Sequence, residues 1–246
     1  MSDNRLAVQL LTGPEAPEPN GVGEPGLSVL DAVESRRSIR RFLPDPVSND
    51  TITRILTAAA RAPSGTNFQP WNVHVVVGEA RDRLSRAVIA AAEAGERSDE
   101  YAYAPAPIPE PYLSRRRQVG YALYNLYGIE RTDYESRKRA MLRNFEFFGA
   151  PMGLFFTMEN SLLHGSWLDC GMFMQNVMIL ARAFGLETCP QQAWCEYGRV
   201  VHEQLNIPDT HVVLSGMAIG KSDPSAPENS LISERVEVSQ FTQFHE

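Results

Sequence analysis

The sequence predicts an α+β fold in which a mainly antiparallel sheet is surrounded by helices. Segments with helical apolar spacing are interleaved with β-branched runs, and the order lacks the regular βαβ alternation of a doubly wound sheet. No internal repeat points to a solenoid. At 246 residues and 43% hydrophobic composition, the chain is long enough to bury a sizeable core as one domain.

Residues 1–27 contain LTGPEAPEPNGVGEPG, too dense in proline, glycine and glutamate for regular structure, so an extended or disordered arm is expected before a domain spanning 28–246. Ser28 and Asp31 form a variant capping box ahead of Val29, Leu30 and Val33, the apolar stripe of a short helix. Ser48 can cap a second helix carrying Ile52, Ile55, Leu56 and Ala59, which Pro63 stops. The β-branched run VHVVVG from Val73 predicts a buried strand, and residues 79–94 return to helix. The prolines of YAYAPAPIPEP, residues 101–111, impose a long loop. Two helices over 112–127 and 133–148 follow, and residues 100–148 read as an inserted helical or lid region. GLFFTM, residues 153–158, is a second strand. WLDCGMFMQNVMILARAF, residues 167–184, is a long helix apolar on most faces and closed by Gly185, as expected of a buried or interfacial helix. VVLSGMAIG from Val212 is a further strand before a proline-rich tail.

A net charge of -7 and a pI near 5.3 argue against a general nucleic-acid or anionic-membrane surface, which needs a basic excess. Any positive cluster is therefore local. Cys170, Cys189 and Cys195 include no CxxC pair and no zinc-like spacing with histidine, and read as reduced thiols. With no apolar signal core and no run near the roughly 18 apolar residues of a membrane span, a soluble cytoplasmic protein is expected.

Two segments carry candidate chemistry. In Ser35-Arg36-Arg37-Ser38-Ile39-Arg40-Arg41-Phe42, an extended backbone sends Arg36, Ser38 and Arg40 to one side. Their permanent charge and planar donor forks suit a phosphate plus a delocalised anion, while a solvated basic run at a helix C-terminus is the plainer reading. In Arg61-Ala62-Pro63-Ser64-Gly65-Thr66-Asn67-Phe68-Gln69-Pro70-Trp71, Ser64, Asn67 and Gln69 offer donors and acceptors, and Gly65 permits close approach of a planar ligand. A polar turn followed by a core tryptophan accounts for the same residues.

Together these segments resemble the FMN-binding nitroreductase family, whose pattern is Arg-x-Ser-x-Arg/Lys followed about 25 residues later by Pro-Ser-x-x-Asn-x-Gln-Pro-Trp. The resemblance continues through Cys189-Pro190-Gln191-Gln192-Ala193-Trp194 and a tail reading Gly216-Met217-Ala218-Ile219-Gly220, Pro227-Glu228-Asn229 and Ser233-Glu234-Arg235. It implies the nitroreductase fold, an intertwined homodimer with an exchanged C-terminal tail and the long helix at its interface, and FMN sites shared between subunits. It further implies that Arg36, Arg37 and Ser38 contact the phosphate and ribityl chain, and that Arg40 sits by the N1–C2 carbonyl edge of the ring. Pro63, Ser64, Gly65, Asn67 and Gln69 would face the partner's flavin, and Pro190, Gln191, Gln192 and Ala193 would run along its other side with a backbone amide toward N5. Arg235, with Lys221, would complete the phosphate pocket, although Ile232 stands where many relatives have a basic residue nearby.

The activity implied is reduction of nitroaromatic compounds by two-electron steps from NADPH or NADH, through ping-pong hydride transfer at N5. A reductive dehalogenase, a quinone or enone reductase, a flavin-cleaving relative and a non-catalytic flavin-binding protein are the alternatives. The chemistry resides on FMN, so no catalytic side chain and no metal are expected. His74, His164, His202, His211 and His245 form no hydrolytic pairing with serine or cysteine. Met172, Phe173, Met174 and Met178 read as packing and Arg115–Arg117 as a solvated helix face. The aromatic and arginine-rich residues 121–148 are where substrate discrimination is expected.

Overall fold

The computed structural model describes residues 26–246, so all of the expected arm except Gly26 and Leu27 lies outside the described residues. Seven α-helices and four strands occur among them: α1 (Val29–Ser35), α2 (Asn49–Ala59), β1 (Asn72–Val77), α3 (Gly78–Ala94), α4 (Tyr112–Leu126), α5 (Tyr134–Leu142), β2 (Met152–Glu159), α6 (His164–Ala183), β3 (Glu187–Gln191), α7 (Gly198–Leu205) and β4 (His211–Gly220). The predicted caps form. Ser28 accepts from the Asp31 amide at 3.1 Å and donates to the Asp31 carboxylate at 2.6 Å, while Ser48 accepts from the Thr51 amide at 3.0 Å. Each satisfies an amide that the first helical turn leaves without a partner.

The sheet runs β1-β2-β4-β3 with every strand pair antiparallel, as the predicted fold class requires. Its two faces bury two cores. Met152, Leu154, Phe156 and Met158 of β2 face α2 and α6, alongside Ile55, Phe173 and Val177. Phe155 faces the other way, with Leu84 and Val88 of α3 and Val201 of α7. Strand β4 changes parity along its length, because Val212 and Leu214 share a face with Met217 and Ile219. The cause is a bulge. Phe156 pairs with Ser215 and Thr157 with Val213, leaving Leu214 as the extra residue that flips the alternation.

Three expectations need correction. Strand β1 is an edge strand rather than a buried one: Val76 is buried, whereas Val75 and Val77 are 40% and 43% exposed. Its β-branched run reports a pleated surface and carries no information on how many neighbours the strand has. The helix expected over 133–148 stops at Leu142, and residues 143–149 form tight turns with Phe147 and Phe148 at φ of 50° and 55°. Burial of Phe145, Phe147 and Phe148 outweighs continued helix, since a straight helix could not seat all three rings in the core. Strand β3 and helix α7 have no counterpart among the expected elements, because ETCPQ carries one β-branched residue and a proline. Pro190 is tolerated because β3 lies at an edge of the four-stranded sheet.

No helix among the described residues is long and apolar enough to cross a membrane. Cys170, Cys189 and Cys195 are free and buried, and burial raises their thiols to about 12, about 11 and about 12 respectively, so they stay protonated at neutral pH. Packing beneath the sheet is tight where Trp194 meets Phe145, Phe147 and Phe155. A Cβ on Gly216 would stand 2.3 Å from the Trp194 ring. Gly216→Ala should therefore destabilise the fold by about 1–3 kcal/mol through overpacking, a loss of several degrees in melting temperature that calorimetry would read.

Candidate active site

The basic segment leaves α1 at Arg36 and runs extended along the outer edge of β3. Ser38 bridges Thr188 in parallel, and the Ile39 amide donates to the Thr188 carbonyl at 3.1 Å. Farther on, Phe42 bridges Ser222. Ile39 and Phe42 are buried in the core, which fixes the segment's orientation and turns its polar side chains outward. Arg36, Arg37, Ser38 and Arg40 then line a cavity of about 650 Å³ together with Val119 of α4, Arg182 of α6, and Ile232 and Arg235 of the tail. Alternation alone would have sent Arg37 away, yet it lines the cavity too.

Among the described residues on that wall, Glu34 is the sole carboxylate facing five guanidiniums. Arg182 is itself paired with Glu187 and donates to Ser35 Oγ at 3.1 and 3.2 Å. Burial raises the Glu187 carboxyl despite Arg182, Arg37 and Arg36 nearby. Nothing in the sequence marked Arg182 or Val119 as belonging here; an arginine in the last turn of an apolar helix reads as a dipole partner. Lys221 lies elsewhere, with Nζ 3.7 Å from Asp45 and outside the cavity wall.

Behind the cavity, the backbone of Arg40 and Arg41 is held by the tail. Asn229 Oδ1 accepts from both amides, at 2.8 and 3.2 Å, and its Nδ2 donates to the Arg41 carbonyl at 2.8 Å. The buried Glu228 carboxylate accepts from Arg41 Nε at 3.2 Å and from Arg143 Nη1 at 3.0 Å. Burial opposes its ionisation, but a bond from its own backbone and those from Arg143 and Arg41 prevail and hold the carboxyl below its ordinary value.

The Pro63–Gln69 loop forms a different surface. Thr66, Asn67 and Gln69 adopt left-handed φ of 47°, 63° and 50°, which only a well-braced loop sustains. The braces are the Gly65 amide donating to Asp169 Oδ2 of α6 at 3.2 Å and the Gln69 amide donating to Ser64 Oγ at 3.0 Å. Gly65, Asn67 and Gln69 remain exposed, and none of Pro63, Ser64, Gly65, Asn67 or Gln69 lines the arginine cavity. Pro63 instead borders an apolar hollow of about 540 Å³ with Trp167, Leu168, Gly171 and Met172 of α6. Trp71 stacks on Phe173 at 4.8 Å, which accounts for that tryptophan as packing.

The third segment divides. Pro190 and Gln192 line a hollow of about 250 Å³ with Tyr101, Trp167, Gly171, Met174 and Met178, adjoining the Pro63 hollow through Trp167 and Gly171. Gln191 is buried, its Nε2 donating to the Asn144 carbonyl at 2.6 Å, and Ala193 packs against the core. Met174 and Met178 thus border a hollow beside β3, while Phe173 is core. Arg115–Arg117 are exposed on α4, as a solvated helix face should be.

Comparison with known proteins matches residues 33–221 to the model of the nitroreductase family. This chain belongs to that family. It is 42% identical to a nitrobenzene nitroreductase of Ectopseudomonas oleovorans, over 87% of this chain and 95% of that protein. It is 39% identical to a 4-nitrobenzoate reductase of Pseudomonas putida, over 86% of this chain and 93% of that protein. Among solved structures, the FMN and NADPH-dependent nitroreductase NfnB from Sphigopyxis sp. strain HMH superposes with a TM-score of 0.88 at 38% identity, covering 89% of this chain and all of the other.

The ion pairs that tie the tail to Arg41 and Arg143 can be tested through Glu228. Its carboxyl is depressed in the fold, so its contribution is complete above the ordinary value of 4.5 and is lost as pH falls through the lower folded value. Glu228→Gln should cost about 1.5–3 kcal/mol near neutral pH. The gap in melting temperature between wild type and variant should close in acid below that ordinary value.

Proposed function

We propose that this protein is an FMN-dependent NAD(P)H nitroreductase that reduces nitroaromatic compounds as a homodimer, with each site built from both subunits. The observation that carries the reading is the cavity in which Arg36, Arg37, Ser38, Arg40 and Arg235 converge in a chain whose net charge is -7. An acidic protein that gathers guanidiniums around one hollow provides a site for a strong anion, and about 650 Å³ lies within the usual range for small-molecule pockets. The donor set fits FMN. Arg36, Arg37, Ser38 and Arg235 would bind the phosphate and ribityl chain, and Arg40 would present its cation to the edge of the ring.

FMN held there would supply the redox chemistry: hydride acceptance at N5 from NADPH or NADH and two-electron, ping-pong reduction of a nitro group toward nitroso and hydroxylamine products. Arg40 contributes a fixed cation that favours the reduced, negatively charged form. Pro190 and Gln192, which line the hollow beside β3, would form the opposite wall of the slot, with Gln191 and Ala193 buried behind them and a backbone amide of that stretch turned toward the reacting edge. The helical region over residues 100–148 covers the slot and discriminates among acceptors. The nitroaromatic class follows the activities named for the two bacterial relatives, which align over nearly their full lengths.

The dimer is supported by surfaces that a single chain leaves open. Leu168 and Met172 of α6 are 72% and 40% exposed beside the Pro63 loop, and Phe68 projects from that loop. The tail exposes Phe241 and Phe244, as a segment exchanged onto a partner would. A second copy packed through α6 would bring Pro63, Ser64, Gly65, Asn67 and Gln69 of one subunit to the flavin of the other.

The purified protein should be yellow, bleach with NADPH under anaerobic conditions and recover its colour on adding nitrobenzene. Colourless protein that FMN cannot reconstitute would overturn the reading. Arg36→Ala should weaken FMN binding at least about tenfold, in keeping with about 1.5–3 kcal/mol for a charged contact, as read by flavin fluorescence on titration. Leu168→Glu should convert the dimer to monomer in sedimentation and lower flavin retention with it.

A further inference from the structure

The turn that ends α5 touches both segments assigned to the flavin. Arg143 Nη2 donates to the Arg40 carbonyl at 2.8 Å, and the carbonyl of the next residue, Asn144, accepts from Gln191 Nε2 at 2.6 Å. Arg40 lines the arginine cavity, whereas Gln191, 151 residues away in sequence, is buried between Pro190 and Gln192, which border the hollow beside β3. Two consecutive residues therefore tie the Arg40 strand to the β3 segment.

Arg143 is held tightly enough to do this. Its guanidinium lies 5.5 Å from the Tyr127 ring centroid and 5.9 Å from that of Phe148, and its Nη1 donates to the buried Glu228 carboxylate at 3.0 Å. One planar fork thus bonds a carboxylate and a backbone carbonyl while its faces meet aromatic rings, which a lysine cannot reproduce. The Tyr127 hydroxyl is buried without a partner, so that ring is placed by packing rather than by a hydrogen bond of its own. Tyr127 follows α4 and Arg143 follows α5, so the contact joins the inserted helices to the Arg40 strand.

We propose that Arg143 is a positioning residue that sets the reduction potential of the bound flavin by holding Arg40 against the ring edge, with the Arg143–Asn144 turn fixing Arg40 and Gln191 at their working separation. The inference rests on the flavin reading above. Loss of the fork releases the Arg40 carbonyl and leaves Glu228 with Arg41 as its remaining side-chain partner, which adds uncompensated negative charge beside Arg40. Both changes disfavour the anionic reduced flavin more than the neutral oxidised one.

The test uses the full-length FMN-bound protein and compares wild type with Arg143→Met, Arg143→Lys and Arg81→Met. Arg81 is a control because it also caps a backbone carbonyl, that of Ala150 at 2.6 Å, away from the arginine cavity. Melting temperature, FMN dissociation constant and two-electron midpoint potential are measured, the last by anaerobic spectroelectrochemistry. Arg143→Met should weaken binding of reduced relative to oxidised FMN about tenfold, a fall of about 30 mV for a two-electron couple. Arg143→Lys should fall by less, and Arg81→Met should lose stability without moving the potential. A wild-type potential in Arg143→Met, or an equal shift in Arg81→Met, overturns the proposal. Should Arg143→Met retain no flavin, an unshifted Arg143→Lys overturns it and a shifted one supports it. A wild type that binds no FMN overturns the flavin reading itself, and this inference falls with it.

Discussion

Gathering five guanidiniums around one hollow sets like charges against one another. At contact distances such repulsion runs from about 1 kcal/mol per pair in water to several in a partly buried site. The fold meets that cost from behind the cavity rather than within it. Ile39 and Phe42 anchor the strand in the core, Thr188 pairs with it, and Asn229 takes both amides that follow the motif. Glu228 adds the compensating charge one layer away, on Arg41 and Arg143, where it offsets the field without occupying the space left for an anion. Arg182 is neutralised separately by Glu187 at the end of α6.

Much of this arrangement was legible in the sequence, and the parts that were not share a cause. Caps, the helices other than α7 and the end of α5, and the β2 and β4 strands follow from periodicity and from residues that satisfy their own local backbone, so Ser28, Ser48 and the LFF run suffice. The Arg36–Arg40 cluster was visible because its spacing matches an extended chain. Position in the sheet was not visible. VHVVV has the same composition at an edge as in the centre, and β3 exists because β4 and the Ser38 bridge give ETCPQ partners, not because those residues favour strand.

The residues missed around the candidate site are those whose roles depend on distant chain. Arg182, Arg143 and Asp169 sit on helices or turns where charged residues are ordinary, and each acquires meaning from a hydroxyl, carbonyl or amide far along the sequence, on Ser35, Arg40 and Gly65 respectively. The 143–149 turn makes the same point in apolar form. Its helical spacing was sound locally, but three phenylalanines reaching the Trp194 cluster decided the backbone.

A basic hollow in a chain of net charge -7 acts as a focus for anions, with the surrounding acidic surface turning them away elsewhere. In the proposed site the guanidiniums would recognise the dianionic end of a ligand. Inorganic phosphate, sulfate and nucleotide phosphates all carry that end, so in a phosphate buffer cofactor uptake becomes an exchange reaction. High salt would weaken that attraction by screening the field over about 10 Å.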